Sequence, residues 1–478
     1  MESFNTRKKR LYSVFVVFSL LLSACATYRP MPLNSTAVED ALKPPDMKTI
    51  RVKTGSIRHP ILRPVRIDLN DGLSPDEAAV MAVIVNPALR AVRDRRGIAE
   101  AQLIQAGILP NPQVSYNLEI PTGGNKDGAV NGYGFGLGWD VRSLITRGAR
   151  MDAARAHAAS VDLAIAWQEW QVAESAKLHL FRLFYLDRQL LPTKEAEQRF
   201  REALKGIKKA VASGEKTDID LAVAEVSLQQ ADASVLTTEK AKERERIALN
   251  KTLGIPPGRI IPIQRDIHLP SWRSLPSEAE IMEGIEGRRL DLLALKMGYR
   301  SREASVRAAV LSQFPKISIG LSHASDTGRL ITTGFEVSIE LPFFDRNQGK
   351  IAVERATRRQ VFDEYIARLF EARSEVAGIL SDMKSLKGQV GTTEGSILTL
   401  KHLIKSYKTA LQQGNTDIMS YYRVQNELAA KQIKIIKLRQ TLSDMGIALE
   451  VAAGRYLPVA KGTSPALPAK TDNGKEPE

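Results

Sequence analysis

A single cysteine, Cys25, occurs in 478 residues, so the chain can hold no internal disulfide. Six histidines (59, 157, 179, 268, 323 and 402) show no HxH, HxxH or HxxxH spacing. With no cysteine to join them, nothing supports a zinc or other metal site, and no cofactor is expected. Aromatic residues are scarce at 6%. Past the first 22 residues there is no apolar run of about 18 residues, so if the chain crosses a membrane it must do so with β-strands. A P-loop, a GxSxG elbow and a GxGxxG in a strand–helix setting are all missing, which leaves no constellation for an enzyme. The net charge is +14, part of it in Arg7–Arg10, and no basic run is interleaved with aromatics. Solvated helix faces account for that balance, and no nucleic-acid partner is expected.

What is present begins with a leader. The basic stretch Arg7–Arg10 precedes an apolar run from Leu11 to Leu22 and the small residues Ser23 and Ala24. This is the pattern of a secretory signal peptide, 1–24. Leu22-Ser23-Ala24-Cys25 resembles the bacterial lipobox, which implies a Cys25 thiol diacylated after cleavage. Ala26, where Asp commonly retains lipoproteins in the inner membrane, resembles an outer-membrane sorting signal. Several acyl chains would hold the chain firmly, at about 0.8 kcal/mol per buried methylene. Pro30, Pro32, Pro44, Pro45, Pro60 and Pro64 predict an extended lipidated segment over 25–72.

The remainder is duplicated at an offset of about 200 residues. Glu77, Ala78 and Met81 match Glu278, Ala279 and Met282; Pro112 and Ser115 match Pro315 and Ser318; Gly148 matches Gly349. Gly214, Thr217 and Asp218 match Gly414, Thr416 and Asp417, and Gly254 matches Gly454. The repeats span 75–257 and 276–458, joined by a Pro-rich connector over 258–275, with a disordered tail over 459–478. Each repeat predicts a leading helix (75–107 and 277–311), then two alternating segments near 113–120 and 133–141, and near 316–322 and 334–341. Their period of two and the polar, Gly-containing loops between them predict β-hairpins. Such strands could put apolar side chains into lipid and Glu119, Glu336 and Glu340 into a wet lumen. Four strands cannot close a barrel, and an open edge in lipid is forbidden, so a membrane-spanning sheet requires several copies.

Long helical stretches follow, 143–212 and 346–412. Seventy residues of helix run about 105 Å. Pro192 is expected to kink or break the first. Tight turns at Gly214 and Gly414 lead to returning helices over 218–253 and 418–456. Tyr421, Val424, Leu428, Ile435, Leu438, Leu442, Met445 and Leu449 give the second a heptad-like seam.

This combination resembles the TolC family of outer-membrane efflux proteins over about residues 70–457. Asn86-Pro87-Ala88-Leu89-Arg90, Ala106-Gly107-Ile108-Leu109-Pro110-Asn111-Pro112 and above all Leu341-Pro342-Phe343-Phe344-Asp345-Arg346-Asn347-Gln348-Gly349 resemble its heavy-metal and cation efflux branch. The resemblance implies a mainly α fold with a membrane β-barrel. Three copies would make a homotrimeric duct, lipid-anchored in the outer membrane, with a periplasmic helical barrel. Its partners would be a periplasmic adaptor protein and an inner-membrane transporter. The cargo would be heavy-metal cations, with drug or organic-compound efflux and protein secretion as alternatives. A periplasmic coiled-coil structural lipoprotein without a pore is the rival from another class.

The candidate site is the pair of helical tips. Gly214 and Gly414 permit the turns, and Thr217-Asp218 and Thr416-Asp417 cap the returning helices. Capping alone is one complete reading. By resemblance the same tips would close the duct and meet the adaptor, with Asp218, Asp220 and Asp417 forming acidic rings. Asp220 has no acidic counterpart in the second repeat, where Met419 and Ser420 stand. The Asp345–Gly349 string reads as strand end and helix cap. Replacing Cys25 with Ala is expected to abolish metabolic labelling with radioactive palmitate; undiminished labelling would sink the lipobox assignment.

Overall fold

The computed structural model describes residues 28–124, 127–267, 274–413, 415–416 and 418–457. The lipobox cysteine and the tail from 459 lie outside them. The chain forms two units, Met1–Pro45 and Asp46–Glu478. In the first, helix α1 (Ser35–Leu42) is capped by Asn34, whose side chain accepts the Ala37 N–H. The second opens with α2 (Met47–Gly55), capped by Asp46 through the Thr49 N–H at 2.7 Å. Two short helices therefore stand in the segment expected to be extended. Pro44 and Pro45 precede the Asp46 cap, so they flank helices without interrupting them.

Helix α3 (Pro75–Val85) starts in a capping box between Ser74 and Glu77 and is buried on nearly every side, as its run of Ala, Val and Met requires. The single helix expected over 75–107 divides here. Pro87 lacks an N–H and cannot continue α3, so it becomes the first residue of α4 (Pro87–Gly107). Asn86 secures the break: its Oδ1 accepts the Ala88 N–H and its Nδ2 donates to the Thr252 carbonyl, both at 2.9 Å.

Strands β1 (Gln113–Glu119) and β2 (Gly132–Asp140) form the first hairpin. Helix α5 (Arg142–Ala212) then runs 71 residues without interruption, with Pro192 inside it. The expected break at Pro192 does not occur. Packing overrides the local defect, for Pro192 is buried. The Thr193 hydroxyl donates to the Gln189 carbonyl at 2.8 Å, occupying an acceptor on the turn that the proline ring disturbs. Helix α6 (Asp218–Leu253) returns along α5.

The second repeat breaks its leading helix in two places, into α7 (Glu278–Met282), α8 (Ile285–Arg288) and α9 (Leu290–Leu311). Strands β3 (Lys316–Ser325) and β4 (Ile331–Glu340) follow, then the helical hairpin of α10 (Gln348–Gln412) and α11 (Ile418–Ala453). One device recurs at the ends of both returning helices. Gly254 and Gly454 are left-handed (φ 68° and 66°), and each presses on the break of a leading helix. A Cβ on Gly254 would lie 2.8 Å from the Val85 carbonyl oxygen, and one on Gly454 3.0 Å from the Arg289 Cα.

The core gathers where these ends meet. Leu180, Phe181 and Phe184 of α5 pack with Leu249 and Leu253 of α6 and with Ala78, Met81 and Val85 of α3. Beside it Trp170 is fully buried, edge-on to Tyr456. Charges are buried here too. Lys177 Nζ lies 3.1 Å from Glu174 Oε1 and 2.8 Å from Glu450 Oε2, under the Tyr456 ring. Glu450 Oε1 also accepts the Leu457 N–H at 2.9 Å, which ties the chain beyond α11 to the waist. Burial pushes the Glu174 carboxyl well above its ordinary range, and Lys177 opposes this only in part. Burial alone would lower Lys177, but the two carboxylates outweigh it and raise the ammonium.

Lys177→Met is expected to destabilise the folded chain by about 3–5 kcal/mol at neutral pH, because two buried carboxylates lose their counter-ion. With the lysine gone, the Glu174 carboxyl, already raised by burial, would titrate still further above its unfolded value. The deficit should therefore shrink as pH falls into the ordinary carboxylate range and grow as pH rises. Thermal unfolding followed by circular dichroism across pH checks this; a deficit independent of pH would refute it.

Candidate functional site

The four strands form one antiparallel sheet in the order β1-β2-β3-β4. The register places Val114 opposite Leu137, Leu137 opposite Leu321, and Leu321 opposite Phe335. The next row on the same face is Tyr116, Phe135, His323 and Thr333. Because side chains alternate, this face also carries Leu118, Tyr133, Trp139, Ile317, Ile319, Val337 and Ile339. Most of these apolar side chains are exposed, so nothing among the described residues covers the face. The opposite face holds Ser115, Asn117, Glu119, Ser318, Ser322, Glu336, Ser338 and Glu340, with glycine at 132, 134, 136, 138, 320 and 334. Some of those glycines are needed: a Cβ on Gly134 would sit 2.2 Å from Asn117 Oδ1. Strands β1 and β4 are both unpaired along their outer edges.

The second hairpin extends further than its alternation suggests. Asp326 Oδ1 accepts the N–H groups of Gly328 and Leu330, both at 2.9 Å, closing a short turn. Thr333 hydrogen-bonds His323 across the strands at 2.9 Å. These polar residues carry no hydrophobic alternation, so the pattern stops before the ladder does.

At the far end of the long helices, Gly214 adopts φ 77°, and the Glu215 N–H donates to the Ala210 carbonyl at 2.8 Å. Thr217 caps α6, and Asp220 completes a capping box with it. Asp220 Oδ2 accepts the Thr217 N–H at 3.0 Å and its hydroxyl at 2.9 Å. Those two hydrogen bonds, the backbone one foremost, hold the Asp220 carboxyl below its usual value. Asp218 stands exposed in the first turn of α6. The structure thus brings Gly214, Thr217, Asp218 and Asp220 together on one tip. On the other tip Thr416 is half-buried, while Gly414 and Asp417 lie outside the described residues.

Near these tips, α5, α6 and α11 line an open cavity of about 230 Å³. Arg199, Phe200, Ile207, Val223, Tyr422 and Asn426 are among its walls. The Nε of Arg199 and Oδ1 of Asn426 are buried without a hydrogen-bond partner among the described residues. No sequence signal marks this cavity, since its α11 wall belongs to the second repeat, far along the chain from α5 and α6. Among the described residues, no group of three or more His, Cys, Asp or Glu side chains could hold a metal ion, and no helix is long and apolar enough to cross a membrane.

Residues 283–455 match the family model described as outer membrane efflux protein. The cation efflux system protein CusC of Escherichia coli K12 is 23% identical over 273 residues, which cover 55% of this chain and 58% of that protein. CusC of Escherichia coli O6:H1 is also 23% identical, over 57% of its length. The match thus spans under two thirds of these relatives. The fold is shared more widely. A crystal structure of CusC superposes with a TM-score of 0.66 at 16% identity, covering 84% of this chain and 98% of that one. VceC from Vibrio cholerae gives 0.67 at 16% identity, covering 80% and 96%. The family resemblance and the mainly helical fold with a small sheet, both read from the sequence, are borne out.

Thr217→Ala is expected to cost about 1 kcal/mol through loss of the helix cap. Amide exchange in the first turn of α6 should accelerate while the waist helices are unchanged. The Asp220 part of the box is present at neutral pH and is lost as pH falls from the ordinary carboxylate range through the depressed folded value. Exchange that does not change with either Thr217→Ala or acidification would refute the capping role.

Proposed function

We propose that this chain, whose second repeat matches the outer membrane efflux proteins and whose fold is that of their solved channels, is the outer-membrane exit duct of a tripartite efflux system. The observation that carries the reading is the sheet: one exposed apolar face, one polar face and two unpaired edges. In hydrocarbon, every backbone N–H and C=O must find a partner within protein. Three copies joined edge to edge make a closed twelve-stranded barrel. Its apolar face meets lipid and its Ser, Gly and Glu face lines water. The ten residues of β4 extend about 33 Å, enough to cross the hydrocarbon when tilted. Cys25 adds a lipid anchor.

The duct transfers substrate without transforming it. Its long helical hairpins project into the periplasm, where their tips meet a periplasmic adaptor and, through it, an inner-membrane transporter. Asp218 and Asp417, repeated by threefold symmetry, line the aperture. Cations are the proposed cargo. The curated CusC relatives are cation efflux proteins by name, and Glu119, Glu336 and Glu340 give the lumen face a negative potential.

Purified protein fused into planar bilayers is expected to conduct cations in preference to anions. Asp218→Ala with Asp417→Ala should raise the open probability or reduce cation preference. A deletion strain should become sensitive to heavy-metal salts. Absence of conductance would overturn the duct reading. Sensitivity to organic toxicants alone would leave the duct and overturn the cargo.

A further inference from the structure

The loop between β4 and α10 is built more firmly than helix capping requires. Asp345 Oδ1 accepts the Asn347 N–H at 2.8 Å, and Gln348 Oε1 accepts the Arg346 N–H at 2.7 Å. Gln348 Nε2 donates to the Phe344 carbonyl at 3.1 Å. Asn347, left-handed at φ 60°, reaches with its Nδ2 to the Ala309 carbonyl near the end of α9, 2.7 Å away. The amides and the carboxylate are thus spent on holding backbone. What the loop presents is Phe343 and Phe344, 70% and 95% exposed. A buried phenylalanine side chain covers roughly 150–250 Å² or more of apolar surface with its surroundings. Two rings held out by a fixed loop lack their partner within one chain.

The position of the loop says where that partner comes from. It continues β4, one open edge of the sheet. The other open edge, β1, is preceded by Ile108 and Leu109, 59% and 37% exposed. That approach is rigid as well, because Pro110 and Pro112 fix its backbone and the Pro110 carbonyl accepts the Trp139 indole N–H at 2.8 Å. All neighbouring strands are antiparallel, so β1 and β4 run in opposite directions. If β4 of one copy pairs with β1 of the next, the end of β4 lies beside the start of β1. The exposed rings of one copy then meet the exposed aliphatic pair of the next.

We propose that Phe343 and Phe344 of each copy clasp Ile108 and Leu109 of the adjacent copy and thereby set the register of the intermolecular strand pair. The proposal rests on the shared-barrel reading above. It answers a problem that reading creates. In a hairpin the connecting turn fixes register, but two chains have no turn between them. A one-residue slip would turn the apolar face into the lumen and is excluded by burial. A two-residue slip, about 7 Å, preserves the alternation and is not. Pairing Glu340 with Gln113 sets Val337 opposite Tyr116, keeps the apolar face continuous, and brings the loop that carries Phe343 and Phe344 beside Ile108 and Leu109. A clasp between that held loop and the proline-bracketed approach would favour this register over its slipped neighbours.

Cysteine pairs in the full chain test this, with Cys25 retained and each single substitution as a control. Phe344→Cys with Leu109→Cys, treated in native membranes with a short bis-maleimide, is expected to yield covalently linked dimers and trimers. Val337→Cys with Tyr116→Cys should link as well and reports the strand edges alone. Linkage at 337–116 without linkage at 344–109 would overturn the clasp while leaving the shared barrel intact. Linkage at neither pair would remove the shared barrel itself. Phe343→Ser with Phe344→Ser is further expected to lose most of the trimer in mild detergent; an undiminished trimer would also overturn the clasp.

Discussion

In the proposed duct, one requirement governs the rest: no backbone hydrogen-bonding group can be left open in hydrocarbon. It acts on very few residues: the outer edges of β1 and β4. A soluble protein can leave an edge strand in water and guard it with charge or a bulge. Here β1 and β4 carry exposed Val, Tyr, Leu, Phe and Ile on one face and no lysine within either strand. Edges this apolar and this open make sense when other copies complete them. The long helices follow from the same requirement. A sheet completed by other copies, as proposed, would supply no core of its own, so each chain would need a separate one. That core lies at the waist, where the leading helices pack against α5, α6 and α11.

The waist is also where the two repeats are joined, and the joints are specific. Both returning helices end in a left-handed glycine seated against a break in a leading helix. The partner broken at Asn86-Pro87 is held by an amide side chain. The partner broken at Arg289 is held by a buried guanidinium bonded to Asp291, Glu375 and the Ala452 carbonyl. The same geometry is reached through different chemistry. Duplication transmits the backbone solution more faithfully than the side chains that support it. Small residues do similar work between repeats: the Ser160 hydroxyl donates to the Ala294 carbonyl at 2.7 Å, and the Ser301 hydroxyl to the Ala153 carbonyl at 2.8 Å. These bonds let α5 and α9 approach closely.

Much of this was legible in the sequence because it depends on short-range periodicity. Alternation in Val114–Ile120 and Phe335–Leu341 assigned both the strands and the face each side chain takes. Gly214 and Thr217 announced a helix end and a helix start. The failures share a cause, for each concerns a residue whose local preference was overruled or redirected by distant contacts. Pro192 reads as a helix breaker, yet burial and the Thr193–Gln189 bond keep α5 whole. Pro87 falls inside the single helix expected over 75–107, yet with Asn86, which bonds to α6, it ends one helix and begins another. Proline in 30–64 suggested extension, although Pro30, Pro32, Pro44 and Pro45 stand before the two caps, and Pro60 and Pro64 follow the second helix in a segment without regular structure. The tip cavity and the Lys177 cluster were not legible at all. Each joins first-repeat residues to distant second-repeat ones, Glu174 and Lys177 to Glu450 and the α5 and α6 walls to Tyr422 and Asn426, and no spacing rule connects the two sets.

The cluster at Lys177 bears on how a long duct could transmit events along its length. Glu450 lies near the end of α11, whose other end begins at the tip, and Glu174 lies on α5, which also runs to a tip. Thirty-odd residues of α11 make a lever of about 50 Å. Its waist end is held by a buried ion pair, a hydrogen bond to the Leu457 amide and the glycine joint at Arg289. Its tip end faces a cavity in which Arg199 Nε and Asn426 Oδ1 lack partners among the described residues. Dense polar anchoring therefore stands at one end of α11, and a cavity with unsatisfied polar atoms at the other. In the proposed duct that arrangement would let the tips rearrange about a fixed waist, so that widening the aperture would need little displacement of the core.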